Sequence, residues 1–155
     1  MEMVNLNGAI EEAIRLSAST LRKRGIAVAK ELAPDLPTCR ADPRLIEQVL
    51  VNLITNAYQA MDKGDGSKHL EITSGARDAQ VVIRVSDSGP GVPPALRERI
   101  FDPFFTTRKD GSGIGLSFSA RIVTDHGGSL RVSTSKWGGA EFRIEIPAKG
   151  EGTAA

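Results

Sequence analysis

The sequence predicts a two-layer α+β sandwich, with helices packed on one face of a mixed, largely antiparallel sheet. Three observations carry that prediction. Residues 9–23 and 43–61 place apolar side chains at helical spacing. Residues 69–74 with 80–87, and 129–135 with 140–146, read as neighbouring strands joined by short polar turns, so adjacent pairs are expected antiparallel. The helices and strands are interspersed, without the regular strand–helix–strand alternation of a parallel doubly wound sheet.

Each element follows from local chemistry. Residues 4–6 suit a short edge strand and Asn7-Gly8 a turn or cap. The helix over 9–23 carries Ile10, Ala13, Ile14, Ser17 and Leu21 on one stripe, and Gly25 stands where a helix C-cap belongs. Ile26 and Val28 open a half-buried strand ending near Leu32, after which Pro34 and Pro37 keep the chain irregular. Asp42-Pro43 starts the next helix, the carboxylate capping free N–H groups and the proline occupying the first helical position. Its buried face is Ile46, Val49, Leu50, Leu53, Ala57, Ala60 and Met61. The strands 69–74 and 80–87 connect through 75–78, and a short helical turn follows Pro93-Pro94. Residues 101–113 show no periodicity; a helix then begins near Gly115 and stops at Gly127-Gly128. The last two strands flank a turn containing Gly138-Gly139. One domain over 1–149 with a disordered tail over 150–155 is the expected organisation.

Bulk composition excludes several classes of function. The chain has 155 residues, 40% hydrophobic and 25% charged, with a net charge of +1. There is no basic excess for nucleic acid. No apolar run approaches the roughly 20 residues of a membrane helix, and no signal peptide opens the chain. A cytoplasmic location without direct membrane contact is expected. Cys39 is alone, so neither a disulfide nor a thiolate metal motif is available, and an ordinary small side chain is expected there. His69 and His126 lack a spaced ligand set and read as structural, His126 complementing a helix dipole.

Three features point to chemistry. Asn52 and Asn56 are four apart on one helix face, with Gln48 and Gln59 nearby. Asparagine is a poor interior helix residue, so two on one face need partners, either neighbouring backbone and water or a hard cation such as Mg²⁺. Asp87 continues the alternation of Val81, Ile83 and Val85, which puts a carboxylate on the apolar face at a strand end. It can simply initiate the Ser88-Gly89-Pro90-Gly91 turn. Alternatively it accepts from the exocyclic amine of adenine and repels the carbonyl of guanine. The third feature is Phe101-Asp102-Pro103-Phe104-Phe105-Thr106-Thr107-Arg108-Lys109-Asp110, followed by Gly111-Ser112-Gly113-Ile114-Gly115-Leu116. Alternating glycines let backbone N–H groups approach an anion, the following helix offers its N-terminus, and the threonines and two cations add donors. A flexible glycine loop is the bland reading; the phenylalanines favour the docked hinges of a lid. The segment lacks the Gly-Lys-Ser/Thr ending of a Walker loop and the GxGxxG spacing of a dinucleotide fold, and the chain has no His-Arg-Asp of protein kinases.

Taken in order, these motifs resemble those of the GHKL ATPase superfamily, and of sensor histidine kinases in particular. Residues 52–57 are similar to the N box, 87–91 to the first glycine box, 101–105 to the F box, 111–116 to the second glycine box and 138–142 to the closing one. Phe104-Phe105-Thr106-Thr107 is similar to the nitrogen-regulation subtype. The resemblance implies a Bergerat fold that binds ATP with Mg²⁺, releasing ADP after transfer of the γ-phosphoryl group to a histidine. Asn56, with Asn52 beside it, would hold the metal. Asp87 would read adenine, supported through Gly89 and Gly91. Gly111, Gly113 and Gly115 would wrap the phosphates in a mobile lid that includes Thr106 to Lys109. Gln59, Val92, Phe104, Ser112, Ile114 and Leu116 complete the implied nucleotide contacts, and Asn52, Asn56, Arg108 and Lys109 the implied catalytic group.

Hydrolysing relatives place a Glu four residues before the metal asparagine; Asn52 stands there instead, and an amide cannot take a proton from water. Transfer is therefore expected over hydrolysis. Ala140 and Gln59 depart from residues common in relatives, Thr and Lys. The resemblance places the phosphoacceptor histidine in a separate dimerisation domain outside this chain, with a response regulator downstream. The isolated domain is expected to be monomeric and the full-length kinase homodimeric. Two alternatives stand beside this reading: a free-standing serine kinase of the anti-sigma-factor type, and a nucleotide-sensing interaction module without transfer activity.

Overall fold

The computed structural model describes residues 1–62, 66–103, 105 and 115–148. The expected tail over 150–155 lies outside the described residues, as do the lid candidates Phe104, Thr106, Thr107, Arg108, Lys109, Gly111, Ser112, Gly113 and Ile114. In chain order the elements are β1 (Glu2–Val4), α1 (Asn7–Lys23), β2 (Ala27–Glu31), β3 (Cys39–Ala41), α2 (Pro43–Met61), β4 (His69–Arg77), β5 (Gln80–Asp87), α3 (Gly115–Asp125), β6 (Ser129–Thr134) and β7 (Ala140–Pro147). Short 3₁₀ turns occupy Pro94–Leu96 and Arg99–Phe101, the second reaching into the stretch expected to be irregular.

The architecture is the expected α+β sandwich. Its five-stranded sheet runs β2-β4-β5-β7-β6, and β1 pairs with β3 in a separate two-stranded ribbon. α2 is the central helix. Its start is set by Asp42, whose Oδ1 accepts from the backbone N–H of Arg44 at 3.0 Å and Leu45 at 3.4 Å. It packs against α1, α3 and β5, so its apolar face is broader than one stripe. Ile54 is therefore buried, whereas Ala60, expected in the core, is half-buried. On β5 the alternation puts Val81, Ile83, Val85 and Asp87 in the buried layer.

Three local expectations are corrected, and one parallel pairing makes the sheet mixed, as predicted. β2 is exposed along its whole length, because it is the outermost strand of the sheet. It also pairs in parallel with β4, whereas every other neighbouring pair in the sheet is antiparallel. β3 escapes sequence reading because it has only three residues, yet Cys39 and Ala41 are fully buried in it. The β4–β5 turn falls on Asp78 and Ala79, at φ 51° and 61°, rather than on 75–78. Two left-handed residues give the mirror-type turn whose twist matches the flanking strands.

Candidate functional site

Asp87 ends β5 and is 1% exposed. Its Oδ1 accepts two backbone hydrogen bonds, from Gly89 N–H at 2.9 Å and Ala140 N–H at 3.2 Å. The first is the local turn bond that a surface aspartate would make. The second comes from a distant segment and exists only because β7 starts there. Oδ2 takes no donor among the described residues. Burial pushes the Asp87 carboxyl above its ordinary value, and the Gly89 and Ala140 N–H bonds pull it partly back. A buried carboxylate with one oxygen satisfied and the other available is suited to accept from a ligand amine.

Glycine makes this approach possible. A Cβ on Gly139 would lie 2.2 Å from the Asp87 carbonyl oxygen and 2.6 Å from Oδ1, so only hydrogen fits between β7 and the carboxylate. Gly91 adopts φ +80°, the left-handed region, and a Cβ there would lie 3.0 Å from the Gly138 carbonyl oxygen. Beyond it, Arg97 donates from Nε to the Val92 carbonyl at 3.3 Å and from its terminal nitrogen to Thr134 Oγ1 at 2.8 Å. The loop after Gly91 is thus tied to the end of β6.

On α2, Asn52, Asn56 and Ala60 form one stripe at helical spacing, and Ala60 lies against Gly89. The stripe therefore runs directly to the Asp87 loop. Asn52 donates from Nδ2 to Ser119 Oγ on α3 at 3.3 Å and accepts at Oδ1 from Gln48 at 3.2 Å. Its amide thus bridges the two helices that flank the site. Asn56 and Gln59 are half-buried one and two turns further on. Gly115 opens α3 as expected, and Leu116 packs partly against the core. Of the three phenylalanines, Phe101 packs edge-on against Phe142 with centroids 6.2 Å apart, and Phe105 is half-buried beneath the Arg99 guanidinium.

Both histidines make contacts within the fold, and His126 stands at the C-terminal end of α3, where the sequence reading put it against the helix dipole. Its Nδ1 lies 2.7 Å from the Ile122 carbonyl, and its Nε2 accepts the Asp42 backbone N–H at 3.1 Å. That pair of bonds fixes the Nδ1–H tautomer and clamps the end of α3 to the start of α2. His69 stacks on Trp137 at 5.4 Å. Cys39 is a buried free thiol pushed up to about 11 by desolvation.

Sequence reasoning missed Ser135. Its hydroxyl donates to the Asp87 carbonyl at 2.6 Å and accepts from Gly139 N–H at 3.0 Å. The only signal was a serine ahead of a glycine-containing turn, which is common and carries little information on its own.

Comparison with known proteins shows the family and the fold. The family described as "Histidine kinase-, DNA gyrase B-, and HSP90-like ATPase" matches residues 41–150. The C4-dicarboxylate transport sensor protein DctS of Rhodobacter capsulatus is 36% identical over 153 residues, covering 98% of this chain and 23% of DctS. The chain spans about a quarter to a third of the length of the curated relatives it matches. Among solved structures, the nucleotide-free catalytic domain of histidine kinase ThkA superposes with a TM-score of 0.83 at 38% identity, covering 96% of this chain and 99% of that one. Full-length ShkA in complex with AMPPNP gives a TM-score of 0.83 at 31% identity, over 96% of this chain and 31% of ShkA.

Proposed function

This chain belongs to the family of histidine kinase-, DNA gyrase B- and HSP90-like ATPases, as a catalytic domain of the histidine-kinase type, and on that premise we propose that it binds Mg-ATP and donates the γ-phosphoryl group to a histidine on a separate dimerisation domain. The observation that carries the nucleotide assignment is Asp87. It is buried, held through Oδ1 by two backbone N–H groups, and offers Oδ2 to an exocyclic amine. Guanine would present a carbonyl there, acceptor against acceptor, so adenine is selected. That ShkA was solved with AMPPNP, an adenine nucleotide, supports the same ligand class.

The remaining roles follow from position. The stripe from Asn52 to Ala60 leads to the base reader, so Asn56 lies on the path from base to phosphates, and its amide oxygen suits a hard cation. Among the described residues no group of three or more His, Cys, Asp or Glu is placed to hold a metal. A cation at Asn56 would therefore complete its shell with phosphate and water oxygens, and Mg²⁺ supplies neutralisation of phosphate charge when bound. Asn52 offers no proton acceptor for water, and its amide is engaged with Ser119 and Gln48. This favours transfer over hydrolysis. In the transfer the bond from Pγ to the β–γ bridging oxygen breaks, a bond from Pγ to an imidazole nitrogen of the partner forms, and ADP leaves. Thr106, Thr107, Arg108, Lys109 and the glycines 111 and 113 are assigned to the phosphate lid on sequence grounds.

We assign the parent to a two-component sensor kinase, cytoplasmic at this domain, with a response regulator as the downstream acceptor. The relatives are sensor proteins, and a structure exists of ThkA with its response regulator protein TrrA. No described helix is long and apolar enough to cross a membrane. The test mixes this chain, Mg-[γ-³²P]ATP and a separately produced dimerisation domain carrying the acceptor histidine. Acid-labile, alkali-stable label on the partner is expected, with none retained on this chain. Label on a partner serine, or stable label on this chain, would overturn the proposal.

A further inference from the structure

We propose that Ser135 is a positioning residue for base selection: its hydroxyl fixes the backbone from which Asp87 reads the nucleotide base. The inference rests on the reading of Asp87 as the adenine reader. β5 and β7 pair from Gln80 with Pro147 up to Ser86 with Glu141, so Asp87 lies one residue past the last paired position. The Ser135 hydroxyl supplies the partner that its carbonyl then needs, at 2.6 Å. Ser135 is 5% exposed, so water does not substitute freely at that bond.

The same oxygen accepts from two further backbone groups, Gly139 N–H at 3.0 Å and Trp137 N–H at 3.3 Å. One donor and two acceptor sites are all that a hydroxyl has, so Ser135 is saturated by main chain alone. The backbone N–H of Ser135 also donates to the Gly139 carbonyl at 2.8 Å. Gly139 directly precedes Ala140, whose N–H holds Asp87 Oδ1. One side chain therefore sets both the main-chain position of Asp87 and the origin of the strand that orients its carboxylate. An acceptor that discriminates amine from carbonyl needs placement within about 0.5 Å, and this junction provides it.

The test is titration calorimetry of the full chain with Mg-ATP and Mg-GTP, for wild type, S135A, D87N and the double variant, each at a temperature where its melting curve shows it folded. S135A is expected to lower the ATP/GTP affinity ratio about tenfold, the scale of one lost buried hydrogen bond. In the D87N background, adding S135A is expected to leave the ratio unchanged, because the serine acts through the aspartate. S135C, with a weaker donor at similar volume, is expected to fall between wild type and S135A, and it supplies the comparison if S135A does not fold. A lower melting temperature with an unchanged ATP/GTP ratio would show that Ser135 is merely structural and would overturn the inference. A wild-type ratio in D87N would overturn the Asp87 reading and this inference together; a collapsed ratio in D87N beside an unaffected S135A overturns the inference alone.

Discussion

Gly139→Ala tests the site's construction most directly. The added Cβ would sit 2.2 Å from the Asp87 carbonyl oxygen, 2.6 Å from Oδ1 and 2.8 Å from the Gly89 nitrogen. Ordinary carbon–oxygen contacts begin at about 3.3 Å, so the two segments must separate by on the order of 1 Å. Two of the three crowding atoms are main chain, so no rotamer change relieves the clash. Overpacking of this kind costs about 1–3 kcal/mol. For a chain of this size that corresponds to a melting temperature lower by about 2–12 °C. The separation also stretches the Ala140 N–H bond to Asp87, a charge-assisted contact worth about 1.5–3 kcal/mol. ATP affinity should therefore fall roughly 10- to 100-fold. Gly138→Ala is the control. Gly138 adopts φ +83°, and a Cβ added there would meet nothing within 4 Å, so the change brings backbone strain of about 1–2 kcal/mol without touching Asp87. Thermal melts and calorimetry of both variants separate the two effects. Equal loss of ATP affinity in both, or native affinity in G139A, would refute the argument that close approach at residue 139 builds the base reader.

Other consequences are open to simpler assays. Because burial raises the Asp87 carboxyl, its contribution to stability is fully present below the ordinary carboxylate value and is lost as pH rises through the raised folded value. Urea midpoints of wild type relative to D87N should accordingly decline between acidic and neutral pH; a difference that grows with pH would contradict the burial argument. The same variant should bind ATP and GTP with nearly equal affinity, and a preserved preference for ATP would remove Asp87 from base recognition. Asp42→Ala removes the cap of α2, and denaturant unfolding should show a loss of about 1 kcal/mol. Cys39, fully buried with its thiol pushed up to about 11, should react with an aromatic disulfide reagent at pH 8 only at the rate of unfolding; fast labelling of the native protein would show that β3 opens independently.

How much of this was legible in the sequence depended on whether the cause was local. α2 was readable from end to end, because Asp42, Pro43 and the apolar spacing act within a few residues of one another. The burial of Asp87 was readable too, since period two carries it onto the same face as Val81, Ile83 and Val85. The motif order pointed to the family, and to Asp87 as the residue proposed here to read the base. What the tertiary structure alone decided lies between distant segments. β2 looked half-buried by alternation, but only the strand order places it at the sheet edge, parallel to β4. The position of His126 at a helix end was local, but the Asp42 N–H that its ring also accepts, 84 positions away, came only with the fold. Ser135 and Gly139 carried no distinctive local signal. Their importance arises where the β6–β7 turn meets the end of β5, which leaves no room for a side chain at one position and needs a hydroxyl at the other. Residue type and spacing specify which groups a strand or helix presents. Whether two such groups meet at hydrogen-bond distance is set by the packing of the whole sheet.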